Sequence, residues 1–424
     1  MKAVILCGGF GKRMGKLSLN IPKPMTIVSG KNVLLRQVET LKREGITDFI
    51  FVTGYLGEKI KDFFGNGSDF GVSISYFEET EPLGTAGALF KLKLKEDFLL
   101  VNGDLIFDFD LKRMSDYHRK NDSLLTLFTH PNSHPYDSTL IETNKNGVVT
   151  AILEKNRENG FCSNLCNAGI SIVSPRLLEM FSFEGEADFD RDVLKKAIKS
   201  QKVFSYKSPE YVFDMGTPER LKKAENDLEN KLVFLENLRN PQKAVFLDRD
   251  GTINKYKGFI SDPKDFELID KVAEAISSFR NSGYLVVVVT NQPVVARGEC
   301  SEETLELIHK KMETLLGEDG AFLDEIYYCP HHTDKGFENE IKELKIDCDC
   351  RKPKPGMIFT AAEKFNIDLE KSFMVGDSLR DVETAVNAGC RAVFVGDKKK
   401  SPSDALFFES LYDFAVYLKN KTDV

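Results

Sequence analysis

The run Ala-Val-Phe-Leu-Asp-Arg-Asp-Gly-Thr-Ile-Asn at residues 244–254 constrains this chain more than any other segment. Ala244 to Leu247 read as a buried strand, and the strand ends in two aspartates, Asp248 and Asp250. Side chains alternate along a strand, so positions i and i+2 share a face. Two carboxylates therefore converge at the C-terminal end of a strand, where open α/β sheets bind their ligands. Gly251 lets the backbone turn sharply just after them.

The chain on either side alternates strand and helix. Strand candidates in the first half are 2–6, 48–53, 98–102, 124–129 and 168–173, with helices such as 33–44 and 111–119 between them. Residues 218–238 read as one helix, with Pro218 in its first turn. Asn240 and Pro241 break the pattern. A second alternation follows: strand 244–247, helix 270–282, strand 284–289, helix 302–316, strand 325–328, helix 356–365, strand 372–375, helix 380–388 and strand 391–395. This is the βαβ pattern of mainly parallel sheets. We expect an α/β chain of two doubly wound domains, 1–238 and 244–424, joined by a linker at 239–243. The lysines at 398–400 read as a solvated loop.

A length of 424 residues accommodates two such domains. The formal net charge of −8 disfavours general nucleic-acid binding. It leaves room for small anions held by a few local cations and backbone N–H groups. No apolar stretch approaches the ~20 residues of a membrane span, and the opening MKAVILCGG has too short an apolar core for a signal peptide. Three of the eight cysteines cluster at 329, 348 and 350 and the others are scattered, which argues against a disulfide framework. The expected location is the cytoplasm.

In the first half, strand 2–6 runs into Cys-Gly-Gly-Phe-Gly-Lys-Arg-Met at 7–14. Gly8, Gly9 and Gly11 allow backbone N–H groups to approach a phosphate closely, with a simple tight turn as the bland alternative. Arg13 offers a forked donor for a polyphosphate, and Pro22-Lys23-Pro24 presents one further cation on a stiff segment. The arrangement GGxGxRM followed by PKP resembles the sugar-1-phosphate nucleotidyltransferase family, and the resemblance extends in order to about residue 225. Leu83-Gly84-Thr85-Ala86-Gly87 resembles the base-recognition loop, in a form frequent among mannose-1-phosphate guanylyltransferases. Asn102-Gly103-Asp104 resembles the segment with the first metal-binding aspartate, and Phe213-Asp214-Met215-Gly216-Thr217-Pro218 the segment with the second. Glu154-Lys155 resembles the sugar-phosphate-binding pair, and Asn167-Ala168-Gly169 the sugar-binding strand. The resemblance implies that a sugar phosphate oxygen attacks the α-phosphorus of a nucleoside triphosphate. Asp104 and Asp214 would hold Mg²⁺, Arg13 and Lys23 would stabilise the triphosphate and leaving group, and Lys155 would hold the sugar phosphate.

In the second half, Asp248-Arg249-Asp250-Gly251-Thr252 resembles the first motif of the haloacid dehalogenase superfamily. That resemblance implies Asp248 as nucleophile and Asp250 as general acid/base, through an aspartyl-phosphate. A carboxylate approaches a phosphate dianion only when cations neutralise it. Thr290 and Asn291 offer hydroxyl and amide donors, Arg351-Lys352 offers the cation, and Asp377 with Asp381 would complete an Mg²⁺ site with Asp248 and Asp250. Ser378 stands beside Asp377 as a substrate-side donor. Cys329-Pro330-His331 and Cys348-Asp349-Cys350 supply four ligands suited to a tetrahedral, structural Zn²⁺, with His332 an exposed neighbour. The set DRDGTIN, TNQ, Ala296-Arg297-Gly298, CPHH and CDCRKPKPGM resembles the heptose-bisphosphate and histidinol phosphatase branch, which implies substrate contacts for Arg297 and Arg351. Pro293-Val294-Val295 departs from the Ser-Gly-Ile common in the heptose enzymes.

Taken together, the two resemblances imply an enzyme of GDP-D-glycero-α-D-manno-heptose synthesis. It would remove the 7-phosphate of heptose 1,7-bisphosphate and transfer GMP from GTP to the remaining 1-phosphate. Two other readings stand beside it. One is a mannose-1-phosphate guanylyltransferase fused to a phosphatase of other small esters. The other is a binding or assembly protein with one silent domain. The expected partners are sugar phosphates and GTP, with a homo-oligomer left open and neither nucleic acid nor a membrane.

Overall fold

The computed structural model describes residues 1–9, 20–154, 160–183 and 185–422. It divides into two compact units. The first comprises 1–129, 141–152 and 167–237; the second comprises 238–424 together with 130–140 and 153–166.

The second unit is built on six parallel strands. In spatial order they are Glu325–Cys329, Tyr284–Asn291, Lys243–Leu247, Phe373–Gly376, Arg391–Val395 and Leu406–Phe408. Tyr284–Asn291, with its four consecutive valines, is buried along nearly its whole length. That is the pattern of a strand covered on both faces. Alternate residues of one strand feed opposite cores: Val245 and Leu247 pack with Ile276, Phe279 and Val286 on one side, while Ala244 and Phe246 pack with Leu285, Val287 and Met374 on the other. From Lys243–Leu247 the chain first builds outward through Tyr284–Asn291 and then returns to the opposite side with Phe373–Gly376. The order reverses at the strand that carries Asp248, the point where such sheets open a crevice.

In the first unit Lys2–Leu6 lies between the parallel strands Asp48–Thr53 and Phe98–Asn102. The glycines after Lys2–Leu6 and Asp104 after Phe98–Asn102 thus leave neighbouring strand ends. The sheet is mixed: Cys166–Val173 runs antiparallel to Phe98–Asn102, pairing Ile170 with Val101. The short strand Val212–Asp214 pairs antiparallel with Leu105–Phe107 and sets Asp214 opposite Leu105.

The helix expected over 218–238 is divided into Pro218–Glu229 and Leu232–Leu235. Asn230 ends the first piece and Lys231, at φ 60°, turns the chain in the left-handed region, so one continuous helix is impossible. Residues 398–400 form one exposed 3₁₀ turn. Leu238 is buried in the core of the second unit, and Gln242 exchanges backbone hydrogen bonds with Asn366 and Asp368, both 2.8 Å. Residues just before the Asp248 strand are therefore tied into the second unit. Among the described residues no helix is long and apolar enough to cross a membrane.

Candidate active sites

At the strand-order reversal of the second unit, Lys352 lies fully inside the protein with its ammonium 2.9 Å from Asp248 Oδ1 and 2.6 Å from Asp381 Oδ1. Asp248, Asp377 and Asp381 bring carboxylate oxygens within 4.8 Å of one another. Three carboxylates against one ammonium leave an excess of two negative charges. Burial, reinforced by Asp381 and Asp250, pushes Asp248 up to about 7 despite Lys352. Burial and the same neighbouring carboxylates push Asp377 up to about 6. The donor set is all oxygen and fits one hard divalent cation.

Two glycines make this convergence possible. A Cβ on Gly251, which sits at φ +82°, would fall 2.1 Å from Asp377 Oδ2. One on Gly376 would fall 2.3 Å from Asp381 Oδ2. Asp381 is also fixed by the start of its own helix, Leu379–Ala388. Ser378 donates to Asp381 Oδ2 through its hydroxyl at 2.6 Å and its backbone N–H at 3.2 Å.

The Asp250 carboxylate is not brought into the three-carboxylate group. It accepts from Arg249 Nη2 at 2.9 Å on both oxygens, from Gln292 Nε2 at 2.8 Å and from Asn254 Nδ2 at 3.0 Å. Thr290 accepts from the same Gln292 amide at 2.9 Å. Asn291 pairs with the backbone of Lys352 in both directions, 3.0 Å each way, and so seats the lysine.

Beside this centre, Cys329, His331, Cys348 and Cys350 form a second cluster. Its edges are 3.6 Å (Cys329 Sγ to His331 Nδ1), 3.5 Å (Cys329 to Cys348), 3.2 Å (Cys348 to Cys350) and 3.3 Å (His331 Nδ1 to Cys350). Tetrahedral zinc with bonds of about 2.3 Å to sulfur gives edges of about 3.8 Å, so these contacts need only lengthen slightly to form a zinc cage. Arg351 donates to the His331 carbonyl at 2.8 Å. The expectation of an exposed His332 is wrong. His332 is buried, with Nε2 3.3 Å from Arg297 Nη2 and 3.3 Å from Asp334, outside the four-ligand set. Arg297 lies between two rings, 4.2 Å from the Phe259 centroid and 4.6 Å from that of Phe337.

In the first unit a cavity of 670 Å³ is lined by Gly8, Gly9, Lys23, Gly84, Thr85 and Asp104, among others. Lys23 forms an ion pair with Asp104, and Arg220 one with Asp214. The backbone N–H of Met215 donates to the Asp104 carbonyl at 3.1 Å, so the two aspartate segments are joined at their base. Gly8 is tightly placed: a Cβ there would fall 2.4 Å from Glu79 Oε2. Thr85 accepts from the Phe189 N–H at 2.7 Å and donates to Asp188 at 3.2 Å, which anchors the Gly84 loop through its side chain. Gly169, at φ +79°, leaves room for the Asn102 amide, and Asn167 bonds Asp190 at 3.3 Å. Gly11, Arg13 and Lys155 lie outside the described residues.

A family model described as nucleotidyl transferase matches residues 2–231. The chain belongs to that family. A HAD-hydrolase-like model matches 349–416. The D-glycero-beta-D-manno-heptose-1,7-bisphosphate 7-phosphatase of Vibrio cholerae serotype O1 is 47% identical over 146 residues, 34% of this chain and 76% of that protein. The second half belongs to the family of that phosphatase. Two solved structures are also similar. HddC from Yersinia pseudotuberculosis, complexed with GMP-PN, is 27% identical and covers 54% of this chain and 99% of that one, with a TM-score of 0.46. The D,D-heptose 1.7-bisphosphate phosphatase from B. bronchiseptica, complexed with magnesium and phosphate, is 34% identical and covers 42% of this chain and 99% of that one, with a TM-score of 0.38. The chain is a nucleotidyltransferase and a phosphatase in one polypeptide.

Several residues of both units carry no role in the reading by motif. In the phosphatase these are Arg249, Asn254 and Gln292, which hold Asp250. Arg249 and Asn254 lie in the opening run itself, and Gln292 directly follows Thr290-Asn291, so position was the available signal. In the nucleotidyltransferase they are Glu79, whose carboxylate lies against Gly8 and accepts from the Leu83 N–H at 3.3 Å, and Arg220, which pairs with Asp214. The glycine contacts generate a prediction. Gly376→Ala places a methyl against Asp381 and should lower phosphatase turnover at least ~100-fold, the scale for losing preorganised charge at a reacting group. Nucleotidyl transfer, assayed on the same preparation, should stay within about twofold of the parent.

Proposed function

We propose that the chain performs two consecutive steps towards GDP-D-glycero-α-D-manno-heptose. The phosphatase removes the 7-phosphate of heptose 1,7-bisphosphate, and the nucleotidyltransferase couples the surviving 1-phosphate to GMP from GTP. The observation that carries this reading is the pairing itself. A phosphatase related to enzymes named for heptose 1,7-bisphosphate shares a chain with an enzyme family whose acceptors are sugar 1-phosphates. Guanine rests on the resemblance of the Leu83–Gly87 loop. The α anomer rests on the fusion to a guanylyltransferase-like domain; the phosphatase relatives are named for the β anomer, and this chain departs from the heptose enzymes at Pro293-Val294-Val295, near where substrate would bind. A cytoplasmic location fits phosphorylated substrates and GTP.

In the phosphatase, the Asp248 carboxylate attacks the 7-phosphorus and the sugar oxygen departs with a proton from Asp250. Water then attacks the aspartyl-phosphate, giving its proton to Asp250. Lys352 holds Asp248 in line and offsets charge on the phosphoryl group. Asp248, Asp377 and Asp381 would hold Mg²⁺, which when bound would neutralise charge on the incoming dianion. In the nucleotidyltransferase no protein nucleophile is needed, because alignment and charge neutralisation suffice. Arg13 and Lys23 serve the triphosphate, Lys155 with Asn167 and Gly169 the sugar phosphate, and Asp104 with Asp214 would hold Mg²⁺.

The test separates the sites. Asp248→Asn should abolish phosphate release from the bisphosphate and leave pyrophosphate release from supplied heptose 1-phosphate and GTP intact. Lys23→Ala or Asp104→Ala should do the reverse, costing transfer at least ~100-fold. Parallel loss of both activities in any one variant contradicts two separate sites. Running both anomers against GTP and ATP checks the specificity. The cysteine cluster adds a second expectation: elemental analysis should find one zinc per chain, and Cys348→Ser should lose it and lower phosphatase activity while transfer persists. Zinc-free protein with full phosphatase activity would refute that assignment.

A further inference from the structure

Arg249 is the largest fully buried side chain among the described residues, at 0% exposure, and neither motif chemistry nor metal binding uses it. It stands between Asp248 and Asp250, so strand alternation would send it to the opposite face. Instead the turn at Gly251 curls the chain back. The Arg249 carbonyl accepts from the N–H groups of Ile253 at 2.8 Å and Asn254 at 3.1 Å, and the guanidinium closes on Asp250. Nε lies 3.2 Å from Asp250 Oδ1, and Nη2 lies 2.9 Å from both oxygens.

The far side of the guanidinium is fixed as well. Nη2 donates to Gln292 Oε1 at 2.9 Å, and Nη1 meets His309 Nε2 at 3.3 Å. His309 is buried and its ring lies tilted against that of Tyr328, with centroids 5.4 Å apart. Beside a guanidinium its Nε2 acts as acceptor. Gln292 closes the ring by donating its own amide to Asp250 Oδ2 at 2.8 Å. The Asp250 side chain keeps 17% exposure, so it is held from behind and open in front. A planar fork anchored on both sides fixes orientation in a way that a single ammonium does not. A buried charge pair is weak evidence for stability.

We propose that Arg249, braced by His309 and Gln292, is the positioning residue that sets where the Asp250 carboxylate stands when water attacks the aspartyl-phosphate. This deepens the phosphatase reading above and rests on Asp248 as nucleophile. In the step concerned a water oxygen bonds to phosphorus as one of its protons passes to Asp250. The bond from phosphorus to the Asp248 oxygen breaks, and its electron pair restores the Asp248 carboxylate. Inorganic phosphate leaves.

An aryl phosphate probe isolates this step, because p-nitrophenolate departs without needing a proton. Rapid mixing of Arg249→Met with p-nitrophenyl phosphate should give a first turnover within about threefold of the parent. Steady-state turnover should then be slower by ~10²-fold, at the lower end of what general acid–base groups contribute. The result is a burst of one p-nitrophenolate per site, with protein-bound phosphate recovered after acid quench. Arg249→Lys should restore part of the steady rate. His309→Leu, which leaves the ion pair in place, should show the same division between phases on a smaller scale, and it decides the matter if Arg249→Met does not fold. First and later turnovers slowed equally, or neither slowed, would overturn the proposal. The underlying reading fails separately: if Asp248→Asn keeps its turnover, or the parent yields no protein-bound phosphate under quench, the covalent route is wrong and the inference falls with it.

Discussion

One buried ammonium organises the phosphatase. Lys352 reaches the sheet's strand-order reversal and is shared between Asp248 and Asp381. Burial alone would favour a neutral lysine, but the two carboxylates outweigh it and hold the ammonium's pKa above its ordinary value. Removing one partner of such a buried pair costs about 3–5 kcal/mol, because the other charge is left stranded. The same ammonium leaves the carboxylates in excess, which keeps the site receptive to a divalent cation. Neighbouring devices serve this arrangement: Asn291 seats the lysine backbone, Ser378 turns Asp381, and Gly251 and Gly376 leave space for the carboxylates.

The cysteine–histidine cluster belongs to the same logic. Cys350 is followed directly by Arg351 and Lys352, and Arg351 bonds the carbonyl of His331. A metal that closed these four ligands would therefore fix the chain that delivers the lysine. Such a site acts through geometry and needs no open coordination position. In the nucleotidyltransferase, cavity chemistry depends on a different economy. Lys23 and Arg220 each pair with an aspartate, Asp104 at the cavity wall and Asp214 on a short strand, and Gly8, Gly9 and Gly84 line the cavity.

Much of this was legible in the sequence, for physical reasons. Continuous apolar runs such as Tyr284–Asn291 have one stable fate in an α/β chain, and Asp248, Lys352, Asp377 and Asp381 each follow or face a strand end. The rest depended on contacts that no local pattern carries. The i, i+2 rule put Asp248 and Asp250 on one face, yet the left-handed Gly251 turn gives the Asp250 carboxylate to Arg249. His309 braces that arginine from a helix far along the chain. His332 adjoins a metal-type histidine but points into a buried aromatic and arginine environment. Lys231 turns left-handed inside a segment whose composition reads as continuous helix. The helix Leu411–Thr422, whose Phe414 ring packs tilted 5.3 Å from that of Phe279, also lacked a motif to announce it.

The central claim is that two sites act in series on one sugar, phosphatase first. On the proposed reading a 7-phosphate would bring about two further negative charges beside the 1-phosphate and the triphosphate, and like charge in a partly desolvated site is strongly unfavourable. The most direct measurement is a time course of unmodified protein with heptose 1,7-bisphosphate, Mg²⁺ and GTP, following phosphate, pyrophosphate and the mass of the nucleotide sugar. The account predicts phosphate release with or without GTP, pyrophosphate appearing only after a lag, and a nucleotide sugar that carries no 7-phosphate. Pyrophosphate released before phosphate, with a 7-phosphorylated nucleotide sugar accumulating, would contradict it.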